Sequence, residues 1–246
     1  MVQVKIAEKD RADSHLTYLA NLMQSATLEQ DEYIAQVNAI LAAGFESSGG
    51  SLSYVIYCLA ANQDAQKSVR EEVLNAKLGK VALDEEYDRL PVLNAMVMES
   101  LRLFPSFGLL LRKAICETSI KGRFIPRGTN IGICPKAINC ARHIWGDDAE
   151  EFSLERWIDR SNPENPKQVP TGGAASTVCM LSFGYGTRSC VGRHLAMAQM
   201  KRQIALIALI VERFHVETED HKFPHPSGIF ASTPPLDFRL QFTESN

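Results

Sequence analysis

Apolar residues at Tyr33, Ile34, Val37, Ile40 and Leu41 recur at helical spacing, and Thr27 with Gln30 makes a capping-box start. The same periodicity resumes at Leu52, Val55, Ile56 and Leu59. Together the two runs cover a helix of ~50 Å at ~1.5 Å per residue. Between them lies Ala43–Gly50, with glycines at Gly44, Gly49 and Gly50 beside Glu46. Each interior glycine costs about 1 kcal/mol against alanine. The segment reads either as one long helix broken locally for function or as a loop between two ordinary helices. A charged amphipathic helix is expected over Asp64–Ala76 and another from Pro91 to Leu103, stopping before Pro105. Ser119–Ile125 and Asn130–Cys134 read as β runs separated by the turn Pro126-Arg127-Gly128. Residues Ser161–Ser176 read as irregular surface chain, and a long helix is expected from just after Cys190 to about Phe214. The tail from His221 places five Pro and Gly residues between short strands. These elements predict a mainly α fold with small β-sheets and no linker dividing residues 1–246.

Composition changes little in that picture. Of 246 residues, 45% are hydrophobic and 22% charged, with a formal net charge of -3, so nothing points to nucleic acid. The longest apolar stretches, Val55–Ala61 and Ile204–Val211, are too short to span a bilayer. Met1–Arg11 mixes charged and apolar residues and lacks a signal-peptide core. The six cysteines form no C-x-x-C pair, and Cys140 and His143 lack a second ligand pair for zinc. Reduced thiols in an intracellular protein are the simpler expectation.

The chemistry concentrates in Phe183-Gly184-Tyr185-Gly186-Thr187-Arg188-Ser189-Cys190-Val191-Gly192, which fits F-x-x-G-x-R-x-C-x-G in full. Five fixed positions in a chain of this length arise by chance on the order of once in tens of thousands of chains. Cys190 stands before a helix, so its sulfur would face free backbone N–H groups and the positive end of the macrodipole, which suits a thiolate. Gly186 allows a tight turn, and Gly192 allows the backbone close to a flat ligand. Phe183 can shield the sulfur, and Arg188 can reach a carboxylate on that ligand. The competing reading of Cys190, a buried structural cysteine, accounts for none of these neighbours; the other five cysteines take it.

This pattern resembles the cytochrome P450 family, and the resemblance extends over nearly the whole chain. Glu99 and Arg102 match the family's E-x-x-R helix, where i and i+3 share a face. Phe152–Trp157 is similar to its P-E-R segment, with Leu154 where Pro is common. The resemblance implies that Arg156 joins Glu99 and Arg102 in a buried cluster behind the haem; a surface ion pair is the alternative. Ala43–Ser48 is similar to the A-G-x-D/E-T signature of the oxygen-site helix, making Glu46 the acid and Ser47 the hydroxyl, where Thr is usual. Arg112 stands where the family directs an Arg at a haem propionate; a plain solvated Arg is the alternative. Arg142-His143-Ile144 replaces the family's His-Arg-Asp run, and Gln199 stands where Glu is frequent. Members of the family are roughly twice as long, so the chain is expected to be the C-terminal half of that fold, forming part of a single domain.

The resemblance implies a haem-thiolate monooxygenase: haem b with Cys190 as axial ligand, and Phe183, Gly186, Gly192, Arg188 and Arg112 around it. Two electrons and two protons split dioxygen, and one oxygen atom goes to a small hydrophobic substrate. Leu109–Leu111 and Ile229–Ala231 are apolar and are expected to line the pocket. Electrons would come from a flavoprotein reductase or ferredoxin, steered by Arg188, Arg193, Lys201 and Arg202; a merely solvated charged face is the alternative. The longer parent is expected to be membrane-associated, of the endoplasmic reticulum type, by an anchor outside this chain. The competing readings are a non-catalytic haem-binding fragment, and a peroxide-using or isomerising haem-thiolate enzyme.

Overall fold

The computed structural model describes residues 29–78, 83–210, 214–218 and 239–244. They fall into two compact units, Met1–Glu46 and Ser47–Asn246. Helix α1 (Gln30–Ala61) runs through Gly44, Gly49 and Gly50 without interruption, so the loop reading of that segment is not adopted. In the first unit the Glu32 carboxylate accepts the Glu29 N–H at 2.9 Å, closing the start of the helix. Thr27 lies outside the described residues. The apolar stripe of this stretch is only half-covered, and Phe45 is exposed.

The core of the second unit forms around α4. After α1 come α2 (Gln63–Ala76), α3 (Asp84–Asp88) and α4 (Pro91–Leu103). All thirteen residues of α4 are buried. A helix apolar on nearly every side must sit inside a core rather than on it. Its start shows where each free donor goes. Pro91 has no N–H, Val92 and Leu93 donate to the two oxygens of Glu72 at 2.9 and 2.8 Å, and Asn94 donates to Leu90. The cap therefore comes from α2, twenty residues upstream. Burial pushes the Glu72 carboxyl up from its ordinary range, against the pull of those two N–H groups. Helix α3 was not expected from periodicity.

Among the described residues the β content is four two-stranded antiparallel sheets. Strands β1 (Leu110–Lys113), β2 (Thr118–Ile120), β3 (Arg123–Ile125) and β4 (Asn130–Ile133) follow α4. The expected single run Ser119–Ile125 is instead the β2–β3 hairpin, folded at Lys121 and Gly122 with φ of 49° and 78°. Two consecutive positive φ values make the tight turn that matches strand twist. The Pro126–Gly128 turn leads into β4, whose partner is β1. Short helices α5 (Pro135–Asn139) and α6 (Arg142–Trp145) precede a 3-10 turn at Leu154–Trp157. Strands β5 (Ile158–Asp159) and β6 (Lys167–Gln168) pair within the otherwise irregular segment.

Helix α7 (Arg193–Ile210) packs against α2 and α4. Phe214 does not end that helix. It opens β7 (Phe214–Thr218), which pairs with β8 (Leu240–Glu244). The β-branched alternation from Phe214 to Thr218 favours a strand once α7 has ended. Gln66, fully buried, holds β7 in place: its amide donates to Val216 O at 2.9 Å and accepts Val216 N–H at 3.3 Å. No described helix is long and apolar enough to cross a membrane.

Candidate active site

The loop from Leu181 to Gly192 folds back on itself. Gly184 and Gly186 take φ of 67° and 78°, the left-handed region where a Cβ is strained. Gly184 N–H donates to Leu181 O, Ser189 N–H to Gly186 O, and Cys190 N–H to Phe183 O at 2.8 Å. That last bond returns the chain to the phenylalanine and leaves the Cys190 side chain on the outside. Cys190 is exposed, as are Val191 (93%) and Leu195 (72%) beside it. A Cβ on Gly192 would stand 3.9 Å from Cys190 Sγ, within ordinary contact. Phe183 is half-buried, with the Arg193 guanidinium 5.5 Å from its ring centre. Arg188 is exposed.

The remaining cysteines are not uniformly buried, contrary to expectation. Cys58 is buried, and desolvation pushes its thiol up to about 12. Cys140 and Cys179 are half-buried, and Cys116 and Cys134 are exposed in the strand-and-turn region. Cys190 differs from these two in its surroundings: a glycine-folded loop before it and a helix after it.

A charge cluster with a fully buried centre lies behind this loop. Glu99 accepts Arg102 Nε and Nη2, both at 2.7 Å, in a two-pronged pair. It also accepts Trp157 Nε1 at 2.9 Å and Ser153 N–H at 3.0 Å. Arg156 Nε stands 3.4 Å from Glu99 Oε1. The structure thus brings Glu99, Arg102 and Arg156 together, with Glu99 and Arg102 at 0% exposure. Arg102 also donates to Asn139 O (2.8 Å), Ala149 O (2.5 Å) and Glu151 O (3.1 Å), and lies over the Trp145 ring. Arg156 reaches outward to Trp145 O, Asp148 O and the Asp148 carboxylate at 2.6 Å. That guanidinium holds the Asp148 carboxyl below its usual range. Asn139 ties the cluster to the cysteine loop, donating to Ser182 Oγ at 2.8 Å and accepting Leu181 N–H at 2.8 Å. Sequence spacing did not reveal Trp157, Ser153 or Asn139 as partners, because each acts through atoms tens of residues away.

The other expected site residues are more scattered. Ser47 is half-buried, and its carbonyl accepts Ser106 Oγ at 3.4 Å. Glu46 is exposed and belongs to the other unit. Arg112 is exposed on β1, donating to the Leu111 carbonyl at 2.8 Å. Ile229–Ala231 lie outside the described residues. Of the four cations expected to steer a redox partner, two are spent internally. Lys201 is buried and paired with Asp88, and Arg202 bonds Asp84 at 2.9 Å above the Tyr87 ring. Helix α3, absent from the sequence reading, supplies both carboxylates.

Among the described residues no group of three or more His, Cys, Asp or Glu could hold a bare metal ion. A single exposed sulfur amid apolar side chains fits a flat apolar macrocycle that brings its own four ligands and needs one more.

Comparison with known proteins identifies the family. The cytochrome P450 family model matches residues 1–242. A cytochrome P450 monooxygenase of Penicillium ochrochloron, ptmK, is 37% identical over 193 residues, covering 77% of this chain and 37% of its own length. Another from Aspergillus fumigatus, sphH, is 34% identical over 237 residues, 94% of this chain and 42% of its own. The chain thus spans less than half the length of these curated relatives. Among solved structures, a mutant cytochrome P450DA heme domain superposes with a TM-score of 0.71 at 22% identity, over 89% of this chain and 45% of that one. The likeness is one of fold, and together with the family match over 242 residues it leads to one conclusion: this chain belongs to the cytochrome P450 family.

Proposed function

We propose that this chain is the haem-binding part of a haem-thiolate monooxygenase, with Cys190 as axial ligand to haem b and residues 1–246 forming part of one larger catalytic domain. The observation that carries the reading is Cys190 itself: an exposed sulfur on a loop closed by its own N–H, flanked by bare Val191 and Leu195. Apolar side chains with this exposure favour covering by an apolar face, and a porphyrin has one. When bound, haem supplies the activation of dioxygen, and thiolate ligation favours O–O cleavage, as is general for this family.

The chain's own residues hold, shield and supply protons. Phe183 and Gly192 bound the sulfur, and Gly184 and Gly186 give the loop its turn. Arg188 and Arg112 take the two propionates, a role supported by their exposure without a described carboxylate partner. Glu46 and Ser47 deliver protons on the oxygen side, the acid as source and the hydroxyl as relay. The buried Glu99–Arg102–Arg156 cluster fixes the back of the cysteine loop through Asn139. The substrate is a small hydrophobic molecule, and the partner is an electron-donor flavoprotein or ferredoxin. With Lys201 and Arg202 neutralised, its docking charge falls to Arg188 and Arg193. An intracellular, endoplasmic-reticulum-associated parent fits the relatives' family.

The test is the ferrous carbonyl spectrum of the haem-loaded protein. The unsubstituted chain is expected to give the red-shifted thiolate band, and Cys190→Ala to lose it while Cys116→Ala and Cys134→Ala keep it. A thiolate band that survives in Cys190→Ala overturns the assignment.

A further inference from the structure

The last carbonyls of α4 have no partner inside the helix. Phe104 N–H takes Ser100 O, and Pro105 has no N–H to offer the next one. Side chains from later segments supply the rest. Ser182 Oγ donates to Leu101 O at 2.7 Å, Asn139 Nδ2 to Arg102 O at 3.1 Å, and Lys136 Nζ to Leu103 O at 2.7 Å. Lys136 and Asn139 belong to α5. Ser182 does not: it stands at the start of the loop that carries Cys190.

The Ser182 hydroxyl has one proton, which it gives to Leu101 O, and lone pairs that accept Asn139 Nδ2 at 2.8 Å. Asn139 is fully buried and uses its whole amide. Its Nδ2 donates to Ser182 Oγ and Arg102 O, and its oxygen accepts Leu181 N–H at 2.8 Å. Turning the amide over would set its nitrogen against the Leu181 N–H and its oxygen against Arg102 O, so one orientation alone satisfies the set. Beyond Ser182 the chain turns back, with Gly184 N–H on Leu181 O at 2.9 Å. Phe183 lies within that turn, and its carbonyl accepts Cys190 N–H at 2.8 Å. A continuous set of contacts therefore runs from the buried end of α4, through Ser182 and Phe183, to the backbone of Cys190.

We propose that Ser182 is a positioning residue for Cys190: its hydroxyl, held between Leu101 O and Asn139, fixes the turn whose Phe183 carbonyl holds the Cys190 N–H, and so sets where the sulfur stands. The proposal rests on the reading of Cys190 as axial ligand given above. The hydroxyl is neutral and half-buried, and it can be removed with every charge of the Glu99–Arg102–Arg156 cluster in place. Its effect on the sulfur is therefore separable from theirs. Groups that orient a metal's direct ligand change affinity for the metal by about 10–100-fold when removed.

The test compares Ser182→Ala and Ser182→Thr with Val69→Ala, which opens a cavity at a fully buried position of α2 and serves as a control for general loosening. The full chain is loaded with haem for spectra and kept haem-free for hydrogen exchange. Ser182→Ala is expected to move part of the ferrous carbonyl population from the red-shifted thiolate band to a thiol-ligated form. It is also expected to release haem roughly 10-fold faster and to speed exchange at the Cys190 N–H. Ser182→Thr keeps the hydroxyl and is expected to match the parent in all three. Val69→Ala is expected to lower the urea midpoint without moving the band. A parent-like band and parent-like Cys190 exchange in Ser182→Ala overturn the positioning role and leave Cys190 as ligand. An equal band shift in Val69→Ala overturns it too, since loosening anywhere would then suffice. A thiolate band that survives Cys190→Ala overturns the ligand reading itself. If Ser182→Ala takes up no haem, exchange at Cys190 in the haem-free chain decides: a rate equal to the parent's overturns the route through Phe183 O.

Discussion

Replacing Glu99 by alanine strands a fully buried charge, the Arg102 guanidinium. The Glu99 carboxylate receives four hydrogen bonds, from Arg102 Nε, Arg102 Nη2, Trp157 Nε1 and Ser153 N, at 2.7 to 3.0 Å. Removing it leaves the Arg102 guanidinium at 0% exposure with three backbone carbonyls and the Trp145 ring but no described counter-charge, and leaves the Trp157 and Ser153 donors without their acceptor. Breaking a buried pair from one side costs about 3–5 kcal/mol, roughly a fifth or more of a typical stability of about 5–15 kcal/mol. With a urea m-value of roughly 1–3 kcal/mol/M, the unfolding midpoint of Glu99→Ala is expected to fall by on the order of 2 M. Arg102→Ala is expected to cost at least as much, because Asn139 O, Ala149 O and Glu151 O lose their donor along with Glu99. Arg156→Ala is expected to cost least. Its side chain is 9% exposed, its outer partner Asp148 is 53% exposed, and its Nε makes no hydrogen bond to Glu99. Urea titration followed by tryptophan fluorescence measures all three, since Trp157 sits in the cluster. A Glu99→Ala midpoint within ~0.3 M of the parent, or an Arg156→Ala loss larger than the Glu99→Ala loss, refutes this account.

Two further outcomes follow from the same neighbourhood. Asp148 has its carboxyl lowered in the fold by the Arg156 hydrogen bond, so its contribution to stability is present above the unfolded value and lost as pH falls through the folded one; Asp148→Asn should flatten the acid limb of a stability-against-pH curve, and an unchanged limb contradicts the pairing. Gly172 has φ of 59° and a Cβ there would stand 2.8 Å from the Trp157 ring, so Gly172→Ala should lower the thermal midpoint by several degrees, and a neutral result means the loop relaxes away from the ring.

What the sequence made legible was whatever depends on near neighbours. Helix α4 begins at Pro91 and ends at Leu103 as expected, because a proline suits the first turn and Pro105 forbids continuation. The Glu99–Arg102 contact follows from spacing on one helix face. The β2–β3 hairpin was read as one strand because Lys121-Gly122 is a less familiar turn pair than Asn-Gly, and the lysine takes a positive φ that its type rarely adopts. The charges on α7 were misjudged for a different reason. Asp88 and Asp84 lie 113 and 118 residues from Lys201 and Arg202, and no local pattern announces such a partner. The Ser182–Leu101 contact spans 81 residues and was equally hidden.

The carboxylate that closes the start of α4 also bears on the order in which the chain assembles. An isolated helix of thirteen residues is marginal in water even with good propensity and a local cap. The Pro91–Leu103 segment has neither a side-chain cap of its own nor a solvent-facing surface, and its first two free N–H groups find Glu72 only when α2 has docked. Local helicity in Pro91–Leu103 is therefore expected to depend on a tertiary event, the docking of α2 that brings Glu72 to its first free N–H groups. The Glu99–Arg102 pair shares one face of that helix, but its burial also needs Asn139, Ala149, Ser153 and Trp157, so the two charges are expected to leave water only when those later segments dock.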